Sequence, residues 1–312
     1  MSFHAYKEQN FKPDTLMLID ECNEIIRKWQ RDGYTLTVRQ LYYQLVARGT
    51  IENTLQSYKR TADMLNNARM AGLVRWDAIE DRTREFVERQ RWTSPRQILQ
   101  ASYNSYHMDL WKNQDVRVFI IVEKEALVGV LEPVSRRFDV PLLAARGYPS
   151  SSVMREFAVE RVMPTFEAGQ DVIVLHLGDH DPSGIDMTRD LDEKIKLFSD
   201  YDNTDQYFEV VRIALTMDQI NDQRPPPNPA KSTDSRFAGY SKLFGDQSWE
   251  LDALSPQFID RLTSEHIKSW QDMEKWQERE AVVAAYKAEI KDMASKVSSE
   301  PEDNQEDDGE DI

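Results

Sequence analysis

The sequence has one cysteine and no long apolar run, and each scarcity excludes a class of protein. The single Cys22 excludes an intrachain disulfide framework and a zinc cluster built on cysteine ligands. No window approaches the roughly 18 apolar residues that a membrane-spanning helix needs, and the N-terminus lacks the apolar centre of a signal peptide. We therefore expect a soluble, cytoplasmic protein with no membrane partner.

Basic residues are outnumbered by acidic ones, 39 to 55, so the formal net charge is -16. Such acidity argues at first against a nucleic-acid partner, because DNA is held largely by Lys and Arg. The charge is unevenly distributed, however: residues 1–114 carry +3, residues 115–296 carry -11 and residues 297–312 carry -8. The last segment has no basic residue and almost nothing apolar, which predicts a disordered acidic tail over 297–312. The N-terminal third remains compatible with DNA.

Residues 1–110 have the hydrophobic period of helices. Helices are predicted over 14–31, 37–49 and 54–71, the second opening on a capping box of Thr37 and Gln40. Residues 76–84 have the pattern of a short β-wing. A helix, a turn, a basic helix and a wing predict a winged-helix DNA-binding domain, with an ordinary helical bundle as the alternative. The third helix is expected to expose the basic residues Lys59, Arg60 and Arg69.

The hydrophobic period changes from helical to strand-like after residue 110, and a second domain, of the α/β class, is predicted over 111–296. Apolar β-rich segments predict strands at 116–122, 139–145, 171–177 and 208–215. Helical patterns separate them, which is typical of an α/β fold with a mostly parallel sheet. An amphipathic helix is predicted near 264–293.

Carboxylates follow two of these strands. Glu123 comes directly after the first strand, and Asp179 and Asp181 follow the third. Functional groups collect beyond the carboxyl ends of parallel strands, so these three side chains would meet if the strands are neighbours. Their repulsion would then call for a divalent cation, and oxygen ligands without cysteine favour Mg²⁺ or Mn²⁺. The alternative is a polar turn in which an aspartate caps the next helix.

These motifs resemble a known family. Glu123 after an apolar strand, followed by DHDPSG at 179–184, looks like the TOPRIM domain of topoisomerases, primases and related nucleases. The segment VRQLYYQ at 38–44 resembles the tyrosine motif of topoisomerase VI A subunits and of the meiotic double-strand-break transesterase. The similarity covers about residues 30–215, and the short chain is most like the compact A-like proteins of bacteria, phages and plasmids. The blocks PPPNPAK (225–231) and SWELDAL (248–254) also resemble blocks of those proteins, with no role assigned.

The resemblance implies a DNA-cleaving transesterase of the type IIB topoisomerase class. In it Tyr43 attacks a phosphodiester of double-stranded DNA and leaves a 5′-phosphotyrosyl link. Glu123, Asp179 and Asp181 would hold Mg²⁺, with Glu123 as a possible acid–base group for the leaving 3′-oxygen. In related A subunits the tyrosine of one protomer serves the metal site of the other, which implies a homodimer. The chain contains no nucleotide-binding motif, so ATP-driven strand passage would need a separate B-type ATPase subunit.

The residues themselves leave several interpretations open. Arg39 lies one helical turn before Tyr43, where it would stabilise a phenolate or a phosphate, or simply face solvent. Tyr42 and Tyr43 lie about 100° apart on a helix, so one is expected to pack inward and the other to reach a groove. The alternative is that both are aromatic core residues. Two other functions remain: a TOPRIM nuclease that hydrolyses DNA with a metal-bound water, and a DNA-binding protein without catalysis.

Overall fold

A computed structural model describes residues 5–79, 89 and 91–297. Within them the chain is an α/β protein with a four-stranded parallel sheet and a large helical content, which confirms the predicted class. The winged-helix and TOPRIM assignments stay predictions. The predicted acidic tail lies, apart from Val297, outside the described residues. In the described part of the chain, no helix is both long and apolar enough to cross a membrane.

The helices are α1 Pro13–Arg31, α2 Val38–Ala47, α3 Leu55–Met70, α4 Pro95–Ser105, α5 Val128–Phe138, α6 Ser151–Phe157, α7 Met163–Glu167, α8 Pro182–Phe198, α9 Met217–Gln223, α10 Phe237–Phe244, α11 Pro256–Lys268 and α12 Met273–Lys296. The strands are β1 Val116–Val122, β2 Leu142–Ala144, β3 Asp171–Leu177, β4 Phe208–Ala214, β5 Asn228–Pro229 and β6 Gln247–Ser248. A π-helical segment, Ala158–Val162, joins α6 to α7.

The parallel sheet has the strand order β2-β1-β3-β4, so β1 and β3 are neighbours. Their register pairs Val116 with Asp171 and Val122 with Leu177, and both strands therefore end at the same level. The strands are buried on both faces because helices cover each side, and this is why they are nearly continuous runs of apolar residues. The paired strand ends bring the residues after them to one edge.

The N-terminal helices form as predicted because their local signals agree. Thr37 and Gln40 make both hydrogen bonds of the capping box at the start of α2. Apolar side chains of α1, α2 and α3, including Cys22 and Leu41, pack into one buried cluster. The predicted wing is not seen in the part that is described, where Trp76–Ala78 is a single 3-10 turn, and residues 80–84 lie outside the described residues.

The predicted helix near 264–293 is wrong as a single element. Two helices, α11 and α12, occupy this stretch, and residues 269–272 separate them. The reason is local: the Asp272 carboxylate accepts hydrogen bonds from the backbone N–H groups of Glu274 and Lys275 and so begins a new helix. The basic connector before β1 also contains a helix, α4, which Ser94 caps.

The described chain divides into two compact units. Residues 5–79 and 115–270 form the first unit, which contains α1–α3 and the sheet. The second unit combines residues 91–114 with 271–297. There the Trp111 and Trp276 rings meet edge to face at 5.9 Å, and the Gln114 side chain bonds to the Asp272 backbone. The pairing of α4 with α12 was not anticipated from the sequence.

Candidate active site

Glu123 and Asp179 lie together at the carboxyl edge of the sheet because their strands are paired neighbours. The backbone N–H of Asp179 donates to Glu123 Oε2 at 2.9 Å. Gly178 permits this approach, since a Cβ at that position would lie 3.1 Å from Glu123 Oε2 and 3.0 Å from His176 Cε1. Glu123 and Asp179 therefore lie at the same sheet edge, as expected, and their contact is between a carboxylate and a backbone N–H.

Asp179 is buried and already has partners within the chain. Its Oδ1 accepts a hydrogen bond from the Leu251 backbone N–H at 2.8 Å. Its Oδ2 forms an ion pair with Lys124 Nζ at 2.9 Å. Lys124 immediately follows Glu123, so the same strand end supplies both a carboxylate and a cation.

Asp181 has the capping role that the sequence left open. Its Oδ1 accepts from the backbone N–H of Gly184 at 2.6 Å and from Ser183 Oγ at 2.9 Å, which makes it the N-cap of α8. Gly184 is needed in this turn because a Cβ there would collide with the carbonyl oxygen of Asp179. Asp181 lies near enough to raise the pKa of Glu123 by its charge.

Burial and nearby charges shift the pKa values of Glu123 and Asp179. Burial first, and then repulsion by Asp179 and Asp181, raise the pKa of Glu123 to about 7. Burial also raises the pKa of Asp179, while Lys124 acts in the opposite direction. In the part of the chain that is described, no three His, Cys, Asp or Glu side chains converge as a metal-binding group. Glu123, Asp179 and Asp181 offer only oxygens, the donor type that hard divalent cations prefer, but Lys124 already neutralises Asp179 and the Asp181 carboxylate caps α8.

The raised pKa of Glu123 predicts a pH-dependent stability. Between about pH 4.5 and 7 the unfolded state ionises Glu123 while the folded state keeps its proton, so the free energy of unfolding falls as the pH rises. Glu123→Gln stays neutral and keeps an oxygen for the Asp179 N–H. We expect this variant to gain on the order of 2 kcal/mol relative to wild type between pH 5 and pH 8.

Urea unfolding in EDTA buffer at both pH values measures this difference. Glu265→Gln removes a carboxylate from an exposed position of α11 and should show no such change. An equal gap between wild type and Glu123→Gln at the two pH values would show that Glu123 is not held in a repulsive, buried setting.

A second acidic pair, Glu250 and Asp252, joins the strand-end site to α2. The Asp252 side chain has no exposed surface, and its Oδ2 lies 3.0 Å from Arg39 Nε. Its Oδ1 lies 3.4 Å from Lys124 Nζ. Glu250 Oε2 contacts the same two cations, with Arg39 Nη2 at 2.9 Å and Lys124 Nζ as a close ion pair. Arg39 is therefore ion-paired within the site, while its side chain remains 43% exposed to solvent.

Sequence reasoning missed these two acids. Both belong to the block SWELDAL, in which Glu250 and Asp252 have the same i, i+2 spacing as Asp179 and Asp181. That repeated spacing was the available signal. The block is anchored by a bridge in which His180 and Trp249 exchange backbone hydrogen bonds, and by the bond from Leu251 to Asp179.

Tyr43 lines a cavity of about 220 Å³ next to this network. The Arg39 Nη2 donates to Tyr43 Oη at 3.4 Å. Burial, followed by the charge of Asp252, raises the pKa of Tyr43 above its usual value, whereas Arg39 lowers it. The cavity is lined by Arg39, Tyr42, Tyr43, Asn53, Thr54, Leu55, Tyr58, Asn228 and Glu250.

Tyr42 and Tyr43 are only 3% and 4% exposed and belong to one buried cluster, so the expected inward and outward division is wrong and the alternative of two core aromatics is observed. Tyr42 Oη lies in the turn before α3. Its acceptors there are Asn53 Oδ1 at 3.0 Å and the Thr54 carbonyl oxygen at 3.1 Å. The Tyr42 and Tyr43 rings meet edge to face at 5.2 Å. Tyr42 is thus held by hydrogen bonds at its hydroxyl, while the Tyr43 hydroxyl meets the guanidinium of Arg39.

The three basic residues expected on α3 do not share one environment. Lys59 and Arg60 are exposed, as predicted. Arg69 is half-buried: its guanidinium stacks 4.5 Å from the Trp76 ring centre and donates to the Trp76 carbonyl at 2.8 Å. None of the three lines the Tyr43 cavity.

No protein-family model matches the chain, and a search of curated proteins found no match either.

Proposed function

We propose that this chain cleaves double-stranded DNA by transesterification, with Tyr43 as the nucleophile, in the manner of a topoisomerase VI A subunit. The observation that carries the proposal is the ion-paired network of Arg39, Asp252, Lys124 and Asp179. It links the tyrosine helix to the carboxyl edge of the sheet within one compact unit. A tyrosine, a cation beside its hydroxyl and a cluster of carboxylates are the groups that this chemistry needs.

The reaction forms a bond between Tyr43 Oη and phosphorus and breaks the bond from phosphorus to the 3′-oxygen. The phenol loses its proton to solvent, and Arg39 favours that loss by lowering the pKa of Tyr43 against the opposing effects of burial and of the Asp252 charge. Arg39 stabilises the developing phenolate, because its guanidinium already donates to Tyr43 Oη. Glu123, with a pKa raised to about 7, is suited to give a proton to the leaving 3′-oxygen near neutral pH.

A divalent cation held by Glu123, Asp179 and Asp181 would supply charge neutralisation at the phosphate. Lys124 and Arg39 provide part of the same neutralisation from the chain itself. The exposed Lys59 and Arg60 of α3 are proposed to contact the DNA backbone. A homodimer and a separate ATPase subunit belong to this proposal through the family resemblance.

The test is a trapping assay on supercoiled plasmid with Mg²⁺ or Mn²⁺, stopped with SDS and run with and without proteinase. We expect cleaved DNA that migrates freely only after proteolysis, because the protein stays linked through tyrosine. Freely migrating nicked DNA without retained protein would support the hydrolytic nuclease instead. Binding without any metal-dependent cleavage would support a DNA-binding protein without catalysis.

A further inference from the structure

Glu250 shares one carboxylate oxygen between two cations. Its Oε2 lies 2.9 Å from Arg39 Nη2 and forms a close ion pair with Lys124 Nζ. The two cations come from different elements, Arg39 from α2 and Lys124 from the segment after β1. An anionic oxygen between a guanidinium and an ammonium group has the partners that a phosphodiester oxygen takes in proteins.

Glu250 and Asp252 both pair with these cations, but their side chains differ in solvent exposure. The Asp252 side chain is wholly buried, whereas that of Glu250 is 26% exposed and lines the Tyr43 cavity. Backbone bonds anchor the chain on both sides of Glu250, at Trp249 and at Leu251. The Glu250 side chain can therefore leave its cations without disturbing the backbone, while Asp252 keeps Arg39 and Lys124 in place.

We propose that Glu250 is an internal competitor for a DNA phosphate: it occupies the anion position between Arg39 and Lys124, and a phosphodiester displaces it on binding. This inference rests on the proposed function, since it takes DNA as the ligand of the Tyr43 site. Glu250 then limits DNA affinity and keeps the two cations neutralised until a phosphate arrives. Asp252 serves as the permanent partner of the same cations.

The test is equilibrium binding of a fluorescent 20-base-pair duplex by fluorescence anisotropy, in EDTA so that cleavage does not intervene. Glu250→Gln should bind about tenfold more tightly than wild type at 100 mM salt. The slope of log affinity against log salt should steepen by about 1 to 2, because one or two more cations become available to phosphates. Thermal unfolding followed by circular dichroism checks that each variant is folded.

Two variants make the result specific. Glu265→Gln makes the same charge change at an exposed position of α11 and should leave both affinity and slope nearly as in wild type. Adding Arg39→Gln to Glu250→Gln should remove most of the gain and reduce the slope by about 1. Equal behaviour of Glu250→Gln and Glu265→Gln, or no binding by either, overturns the proposal.

The outcome is separable from that of the trapping assay. A tighter Glu250→Gln variant with no covalent product keeps the phosphate position and rejects tyrosine chemistry. A covalent product together with unchanged DNA affinity of Glu250→Gln supports tyrosine chemistry and rejects the phosphate position.

Discussion

Tyr43→Phe is expected to abolish the covalent protein–DNA product, lowering it by at least about 10³-fold, because no other atom of the side chain can form the ester. The fold should tolerate the change, since the hydrogen bond from Arg39 to Tyr43 Oη is long, at 3.4 Å, and the neighbouring Asn228 keeps its bond to Asn53. The measurement is the trapping assay on supercoiled plasmid with Mg²⁺, scored as DNA released by proteinase.

Tyr42→Phe is the matched control. It removes the hydroxyl that contacts Asn53 and Thr54, which should cost about 1 kcal/mol of stability and leave covalent trapping intact. Trypsin releases both tyrosines in the peptide 40–48, so fragmentation of the nucleotide-bearing peptide assigns the adduct to one of them. An adduct on Tyr42, or full trapping by Tyr43→Phe, would contradict the proposed nucleophile.

Asp179→Asn should lower metal-dependent cleavage by about 10² to 10³-fold. The substitution keeps the size of the side chain and an oxygen for the Leu251 N–H, but removes the charge that faces Lys124 and crowds Glu123. Weaker repulsion should also bring the pKa of Glu123 down towards its ordinary range. Cleavage rates measured over a range of Mg²⁺ concentrations should show both a lower maximum and a weaker response to the metal.

Asp192→Asn removes a carboxylate from α8 away from the strand ends, where Asp192 pairs with Lys196 at 2.8 Å. Its cleavage should stay within about twofold of wild type, as for an ordinary surface ion pair. Duplex binding in EDTA should be at least as tight for Asp179→Asn as for Asp192→Asn, because the first substitution also removes a carboxylate partner of Lys124. If Asp179→Asn cleaves as fast as Asp192→Asn over the whole Mg²⁺ range, Asp179 does not hold the metal.

Much of this site was predictable because it depends on short-range patterns. The capping box at Thr37 begins the helix that carries Arg39 and Tyr43 four residues apart, and their contact follows from helical geometry. The apolar strands predicted a parallel sheet, and paired strands end together, so Glu123 and Asp179 had to meet once β1 and β3 were neighbours. These inferences need only the periodicity of apolar residues along the sequence and the hydrogen-bonding pattern of parallel sheets.

Other features required long-range packing that no local pattern encodes. Asp252 lies 128 residues from Lys124 and Glu250 lies 211 from Arg39, and their ion pairs exist because SWELDAL is anchored beside the strand ends. Packing also buries both Tyr42 and Tyr43, although helical geometry alone separates them by about 100°. The sequence thus specified which groups stand at the ends of its elements. Packing between distant segments placed Lys124 and Arg39 beside the carboxylates of this site. This pairing is needed because a charge that is removed from water is unfavourable without a partner of opposite charge.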